Sequence, residues 1–187
     1  MNWWNRMNLA NKLTLGRIAV LPLILITAWA GGRVGWGFAA VLGLLAALTD
    51  LADGWIARRT DSVTDFGKAM DPIADKALFF TLALPLTRTA AFSFPWPLVW
   101  VFLMRELVMS GLRIAAAGSR GEVIPASFLG KAKTVLQDVG ILLLAFAQVF
   151  LAGWMYVTGL VLLILAAVLT IASLVEYILA SRDVWRF

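Results

Sequence analysis

Apolar residues in this chain fall into six long runs separated by short polar stretches. The runs cover roughly 14–30, 34–57, 69–90, 97–117, 129–151 and 155–179. Each is near the length of about 20 residues that a helix needs to cross the hydrocarbon of a bilayer. The breaks carry turn chemistry. Gly31-Gly32-Arg33 closes the first run, and Arg58-Arg59-Thr60-Asp61 ends the second. Pro95 and Pro97 mark the start of the fourth, and Gly118-Ser119-Arg120-Gly121-Glu122 follows it. Gly153 is read as the turn before the sixth. Ahead of the first run, Trp3, Trp4, Met7 and Leu9 alternate with Asn, Arg and Lys. That mixture suits a short helix lying at headgroup depth. The pattern predicts an all-α, polytopic membrane protein with six transmembrane helices plus a short N-terminal interfacial helix. It forms one domain over 1–187: an interfacial segment 1–13, a six-helix bundle 14–180 and a cytoplasmic tail 181–187.

Composition sharpens this picture. The chain is 61% hydrophobic and only 14% charged, with a mean hydropathy of +0.87. A water-soluble domain is nearer 45–50% apolar and about 25% charged. Six spans need about 120 residues and leave room for loops, whereas eight would leave almost none. The first run lacks a small-residue cleavage site before a polar mature domain, so it reads as a retained span. Positive charge is biased to one side. Arg6, Lys12, the 58–68 and 118–133 loops, Arg182 and Arg186 share it, against Arg33 and Arg88 opposite. The positive-inside rule puts both termini and the charged loops in the cytoplasm. The net charge of +5 then reads as membrane orientation and anionic ligands, with no nucleic acid. The chain has no cysteine and no histidine. Thiolate or imidazole metal sites and Ser-His-Asp catalysis are thereby excluded, leaving Asp, Glu, Lys, Arg and backbone groups for any chemistry.

The stretch 50–75, DLADGWIARRTDSVTDFGKAMDPIAD, concentrates that chemistry. Asp50 and Asp53 are three residues apart, about 60° on a helix, and Asp71 and Asp75 are four apart, about 40°. A short loop joins the two spans, so the pairs can face each other. Four ionised carboxylates at membrane depth repel and are costly to desolvate. Protonation or bound hard divalent cations would compensate, and oxygen-only ligation suits Mg2+ or Mn2+. Asp61 and Asp65 read as ordinary loop and cap residues. Gly54 permits close approach of a ligand to the backbone, or close helix packing. Arg58 is a bidentate phosphate donor or a positive-inside anchor.

Asp50, Asp53, Gly54, Ala57, Arg58, Gly67, Asp71 and Asp75 together spell D-x2-D-G-x2-A-R-x8-G-x3-D-x3-D. This resembles, at every position, the signature of the CDP-alcohol phosphotransferases. Three flanking stretches resemble the bacterial branch of that family that makes phosphatidylglycerophosphate. They are Asn11-Lys12-Leu13-Thr14 with Arg17, Arg105-Glu106-Leu107 with Arg113, and Gly130-Lys131-Ala132-Lys133-Thr134 with Gln137. Ala10 departs from that branch, which often has proline there. The resemblance implies a homodimeric enzyme of the bacterial inner membrane with a cytoplasm-facing site. It implies that Asp50, Asp53, Asp71 and Asp75 bind two divalent cations, Mg2+ or Mn2+, and that Asp75 doubles as the catalytic base. It implies a CDP pocket of Asn11, Thr14, Asp53, Gly54, Ala57, Arg58 and Gly67. The implied reaction moves the phosphatidyl group of CDP-diacylglycerol to sn-glycerol 3-phosphate and releases CMP. The expected partners are these substrates, the CMP product and membrane lipids.

The acceptor carries a phosphate, so its pocket should be basic. Arg105, Arg113, Lys131 and Lys133 are the candidates. Arg105 has a competing role as a structural partner of Glu106 or Asp138, and Lys133 as a residue snorkelling to the interface. Arg17 has two candidate targets, a headgroup phosphate or a loop. Lys68 and Lys76 flank the second Asp pair and tune or balance its charge, while Asp138 has no assigned role. Alternative acceptors are inositol phosphate, serine or phosphatidylglycerol. A divalent-cation channel or carrier is a reading from another class, because intramembrane acids also mark ion pathways. A scaffold that only holds lipid headgroups is a third, and it needs no base.

Overall fold

The protein is described from a computed structural model. The structure describes the backbone of residues 9–59, 65–120 and 128–180, and side chains over 11–50, 70, 72–112 and 132–179. Within these residues the chain is all helical. Six helices follow in order: α1 (Leu9–Ala30), α2 (Gly32–Arg59), α3 (Asp65–Leu86), α4 (Trp96–Arg120), α5 (Phe128–Phe150) and α6 (Gly153–Ala180). Four of them, α1, α2, α5 and α6, are long and apolar enough to cross a membrane. In α3 the first half is polar, with Asp65, Lys68, Asp71, Asp75 and Lys76, and α4 carries Arg105, Glu106 and Arg113.

Large apolar side chains line the outside of the bundle as well as its core. Along α2 the inward residues are small apart from one indole: Trp36, Ala39, Ala40, Gly43 and Ala46 are buried. The outward stripe is large: Val34, Phe38, Val41, Leu45 and Leu48 are exposed. The same spacing of three and four recurs on α6 at Val157, Val161, Ile164, Val168, Ile171 and Val175. Meanwhile Asn11, Thr14, Arg17, Arg105, Lys133, Gln137, Gln148, Thr170 and Ser173 are buried. An apolar exterior around an interior that holds such polar groups is stable where the surrounding solvent is hydrocarbon. Trp96, Trp100 and Trp154 are exposed near helix ends, as belt residues should be.

Helix α1 packs on α2 and α3, α2 on α5, and α4 on α6, with the most extensive contact between α5 and α6. Phe79 of α3 centres the core, with edge-on rings of Phe102 at 5.1 Å and Phe94 at 6.4 Å. The α5–α6 seam is built from a repeated device. Gly140 is followed four residues on by Leu144, and Gly159 by Leu163. Each leucine fills the groove left by the glycine opposite. A Cβ at Gly140 would lie 2.7 Å from Leu163 Cγ, and one at Gly159 would lie 2.8 Å from the Gly140 carbonyl oxygen. Without a hydrophobic driving force between lipid-bathed helices, such close backbone approach supplies the attraction. Gly35 does the same between α2 and α1, since a Cβ there would lie 2.5 Å from the Thr27 carbonyl oxygen.

The six runs correspond to the six helices, with three local differences. The third helix stops at Leu86, short of residue 90. The Leu86 carbonyl there accepts from the Thr89 N–H, the Phe94 N–H and the Thr89 hydroxyl, and buried Phe94 folds back onto the core. Second, Gly153 begins α6 rather than forming a turn. The reversal falls at Leu151, with φ of 50°, and the Ala152 carbonyl then receives the first N–H bonds of α6. Third, residues 9–13, assigned to the interfacial segment, continue into α1 without a break. The rest of that segment and the 181–187 tail lie outside the described residues. Gly31 and Gly32 do form the expected turn, both at positive φ, 71° and 64°.

The seam predicts that Gly159→Val lowers the thermal unfolding midpoint in detergent, by an overpacking cost of about 1–3 kcal/mol. Gly37, which has nothing within 4 Å of a would-be Cβ, should accept alanine with no loss.

Candidate active site

The signature residues occupy the facing ends of α2 and α3. Asp50, Asp53, Gly54, Ala57 and Arg58 lie on the last three turns of α2, and Gly67, Asp71 and Asp75 on the first three of α3. The side chains of Asp53, Ala57, Arg58, Asp71, Arg113 and Lys131, and the surroundings of Gly54 and Gly67, lie outside the described residues. Asp50 and Asp75 are described, and each has a cation against it. Arg17 of α1, 3% exposed, donates Nη1 to Asp50 Oδ1. This is neither of the targets expected for Arg17. Lys76 donates Nζ to Asp75 Oδ2 at 2.6 Å, so it balances the base candidate directly. Asn11 and Thr14, assigned to the nucleotide pocket, are buried on the same helix as Arg17. Thr14 and Arg17 are three residues apart and therefore near one face.

A second charged group lies across α4 and α5. Glu106 Oε1 accepts from Arg105 Nη1 at 2.9 Å and from Lys133 Nζ at 3.2 Å. Arg105, 7% exposed, also reaches Ser173 of α6 through Nη2 at 3.4 Å. Two of the four basic candidates thus converge on one carboxylate. The structural pairing of Arg105 with Glu106 is present, and Lys133, 3% exposed, is directed inward rather than to an interface.

Lys76 joins the two groups. Its ammonium acts electrostatically on Asp75, Glu106 and Asp138. Asp138 of α5 in turn feels the charges of Asp75, Lys76 and Asp50. Carboxylates from α2, α3 and α5 therefore share one region, with Arg105 and Lys133 beside it. Two buried polar atoms here have no hydrogen-bond partner among the described residues: Arg105 Nε and Gln137 Oε1. Gln137 is 1% exposed and lies four residues after Lys133, on the same face of α5. Buried polar groups are seldom left unpaired, and such orphans mark places where a ligand or water binds.

Sequence reasoning left Asp138 without a role and read Glu106 only as an alternative partner. The signal for Glu106 was its neighbour, since an arginine in the middle of a span needs a counter-charge. No group of three or more acidic, His or Cys side chains among the described residues is arranged around a metal position. Two of the four expected ligands, Asp53 and Asp71, fall outside that set. The donor chemistry fits a hard cation, because Asp50 and Asp75 offer only oxygen.

Acidic residues on adjacent helices thus lie beside a buried basic group, inside a bundle with an apolar exterior. The chain belongs to the CDP-alcohol phosphatidyltransferase family, whose model matches residues 7–175. It is 37% identical over 185 residues to a probable phosphatidylglycerophosphate synthase of Mycobacterium tuberculosis, covering 95% of this chain and 83% of that one. It is 39% identical over 146 residues to the CDP-diacylglycerol–glycerol-3-phosphate 3-phosphatidyltransferase of Bacillus subtilis, covering 72% and 74%. The Rickettsia bellii protein of that name is 36% identical over 180 residues, covering 94% and 96%.

Removing Glu106 would leave Arg105 and Lys133 buried without their shared counter-charge. Glu106→Ala is expected to destabilise the protein by up to about 3 kcal/mol. Glu106→Ala combined with Lys133→Met should cost less than the sum of the two, as read by a double-mutant cycle on thermal unfolding.

Proposed function

We propose that this protein transfers the phosphatidyl group of CDP-diacylglycerol to sn-glycerol 3-phosphate, giving phosphatidylglycerophosphate and CMP. The observation that carries this reading is the adjacency of two charge groups. Asp50 and Asp75 suit a pyrophosphate with its cations. Arg105 and Lys133, with the Gln137 side-chain carbonyl of α5 that has no partner among the described residues, suit a small phosphorylated alcohol. The printed names of the relatives support the same pair of substrates. Serine or choline acceptors would not call for the basic group.

Asp50, Asp53, Asp71 and Asp75 would hold two divalent cations, Mg2+ or Mn2+. When bound, these supply charge neutralisation at the pyrophosphate. Asn11, Thr14, Asp53, Gly54, Ala57, Arg58 and Gly67 would receive the CDP moiety. Arg105, Arg113, Lys131 and Lys133 would orient the acceptor phosphate. Asp75 accepts the proton of the acceptor hydroxyl. That oxygen bonds to the phosphorus bearing diacylglycerol, the bond from this phosphorus to the CMP oxygen breaks, and CMP leaves with the electron pair. Lys76, already on Asp75 Oδ2, fixes the carboxylate's orientation. Glu106 occupies the two cations until the acceptor phosphate arrives. Most of the rate gain is positioning and electrostatics.

All six helices would cross the membrane, as one domain, behind the interfacial segment. α3 has 22 residues and α4 has 25, enough for about 33 Å and more. Their described charges, Asp75, Lys76, Arg105 and Glu106, are paired within the bundle. The positive-inside bias supports cytoplasmic termini and a cytoplasmic site in the bacterial inner membrane. The assembly would be a homodimer.

Purified protein in detergent, given CDP-diacylglycerol and a panel of labelled alcohols, should release CMP with glycerol 3-phosphate and not with serine or inositol phosphate. Chelation should stop turnover, and Mg2+ or Mn2+ should restore it. Turnover with a different acceptor alone would overturn the reading. Asp75→Asn should lower kcat about 10²–10⁴-fold while CMP still binds. Lys133→Met should raise KM for glycerol 3-phosphate more than KM for CDP-diacylglycerol.

A further inference from the structure

The end of the bundle away from the aspartates holds a cavity of about 380 Å³. It opens between the α1–α2 turn and the loop from α3 to α4. Its lining includes Trp29, Arg33, Trp36, Arg88, Thr89 and Gln148. Asp50 lies eighteen residues along α2 from Gly32, about 27 Å along the axis. The cavity is therefore separate from the site described above.

Its charge is one-sided. No Asp or Glu occurs in residues 1–49, 76–105 or 139–175, the segments that supply this end of the bundle. Within 18–49, 77–104 and 139–175 the only charged residues are Arg33 and Arg88. Both are exposed, and neither has a carboxylate partner among the described residues. The Arg88 guanidinium lies 4.2 Å from the centre of the Trp29 ring. That contact places the guanidinium over an aromatic face, which engages its charge without using its N–H donors. The walls are fixed as well. Gln148 Nε2 donates to the Phe92 carbonyl at 2.7 Å, and the Tyr156 hydroxyl donates to the Ser93 carbonyl at 3.0 Å. These bonds tie the α3–α4 loop to α5 and α6. Trp36 is buried behind the cavity, and Trp29 is exposed at its rim.

We infer that this cavity binds a phosphate oxyanion between Arg33 and Arg88, as carried by an anionic phospholipid headgroup. Two guanidiniums and no carboxylate make a site for negative charge. Helices α1, α2 and α5, which end here, are apolar enough to span a membrane, so their ends meet headgroups. The exposed indole of Trp29 suits the same depth. A zwitterionic choline headgroup fits worse, because its ammonium meets two cations and no acid. Free inorganic phosphate shares the recognised group and is the other source to distinguish.

The test uses the full chain in nanodiscs or detergent and three probes: phosphatidylglycerol, phosphatidylcholine and inorganic phosphate. Native mass spectrometry counts retained lipid, and titration gives affinity. The wild type should retain at least one more phosphatidylglycerol per chain than Arg33→Gln/Arg88→Gln, whose affinity for that lipid falls at least about tenfold. Phosphatidylcholine should show no such difference. Loss of inorganic phosphate binding in the double variant, with no change in lipid retention, would assign the site to free phosphate. Arg33→Gln alone, which leaves the Arg88–Trp29 contact in place, should give a partial loss and guards against misfolding of the double variant. Equal retention and affinity for all probes in wild type and variants would overturn the inference. CMP release at saturating substrate should be unchanged in these variants, so this result is independent of the proposed reaction.

Discussion

Every ionic group inside an apolar bundle must meet an opposite charge, and this constraint organises the molecule. Arg17 is buried and reaches Asp50 across the α1–α2 contact. Arg105 and Lys133 are buried and share Glu106 across α4 and α5. A lone guanidinium or ammonium at these depths would cost several kcal/mol. Each pairing therefore fixes how its two helices sit against one another. The small-residue seams then close the remaining gaps, as at Gly140 and Gly159.

The same constraint prepares the chemistry. Carboxylates inside an apolar bundle are costly to leave unbalanced. Lys76 on Asp75 and Arg17 on Asp50 supply the balance. Glu106 does the reverse for the basic group. In the proposed reaction a pyrophosphate and a phosphorylated alcohol would meet on this pre-paired charge set and exchange partners with it. The Gln137 side-chain carbonyl and Arg105 Nε, which have no hydrogen-bond partner among the described residues, lie within this set.

The two ends of the bundle differ in kind. One is dense in charge of both signs. The other has two arginines, a tryptophan pair and backbone carbonyls tied by Gln148 and Tyr156. Rigid loop bracing at that end gives the helices a fixed base.

The six helical runs, their apolar character and the acid signature of 50–75 were legible in the order of residues alone. Hydropathy and residue spacing are local properties and need no knowledge of neighbours. Even the family was legible there, because its motif lies within 26 consecutive residues. Tertiary structure decided which charge answers which. Arg17 and Asp50 are 33 residues apart, and Glu106 and Lys133 are 27 apart. Such partners are chosen by helix rotation and approach, which packing sets and no short window contains. The stop of α3 at Leu86 and the reversal at Leu151 were decided the same way. Loop residues took up the Leu86 carbonyl, and the Gly159 groove positioned α6 against α5, leaving the chain to turn where the seam required.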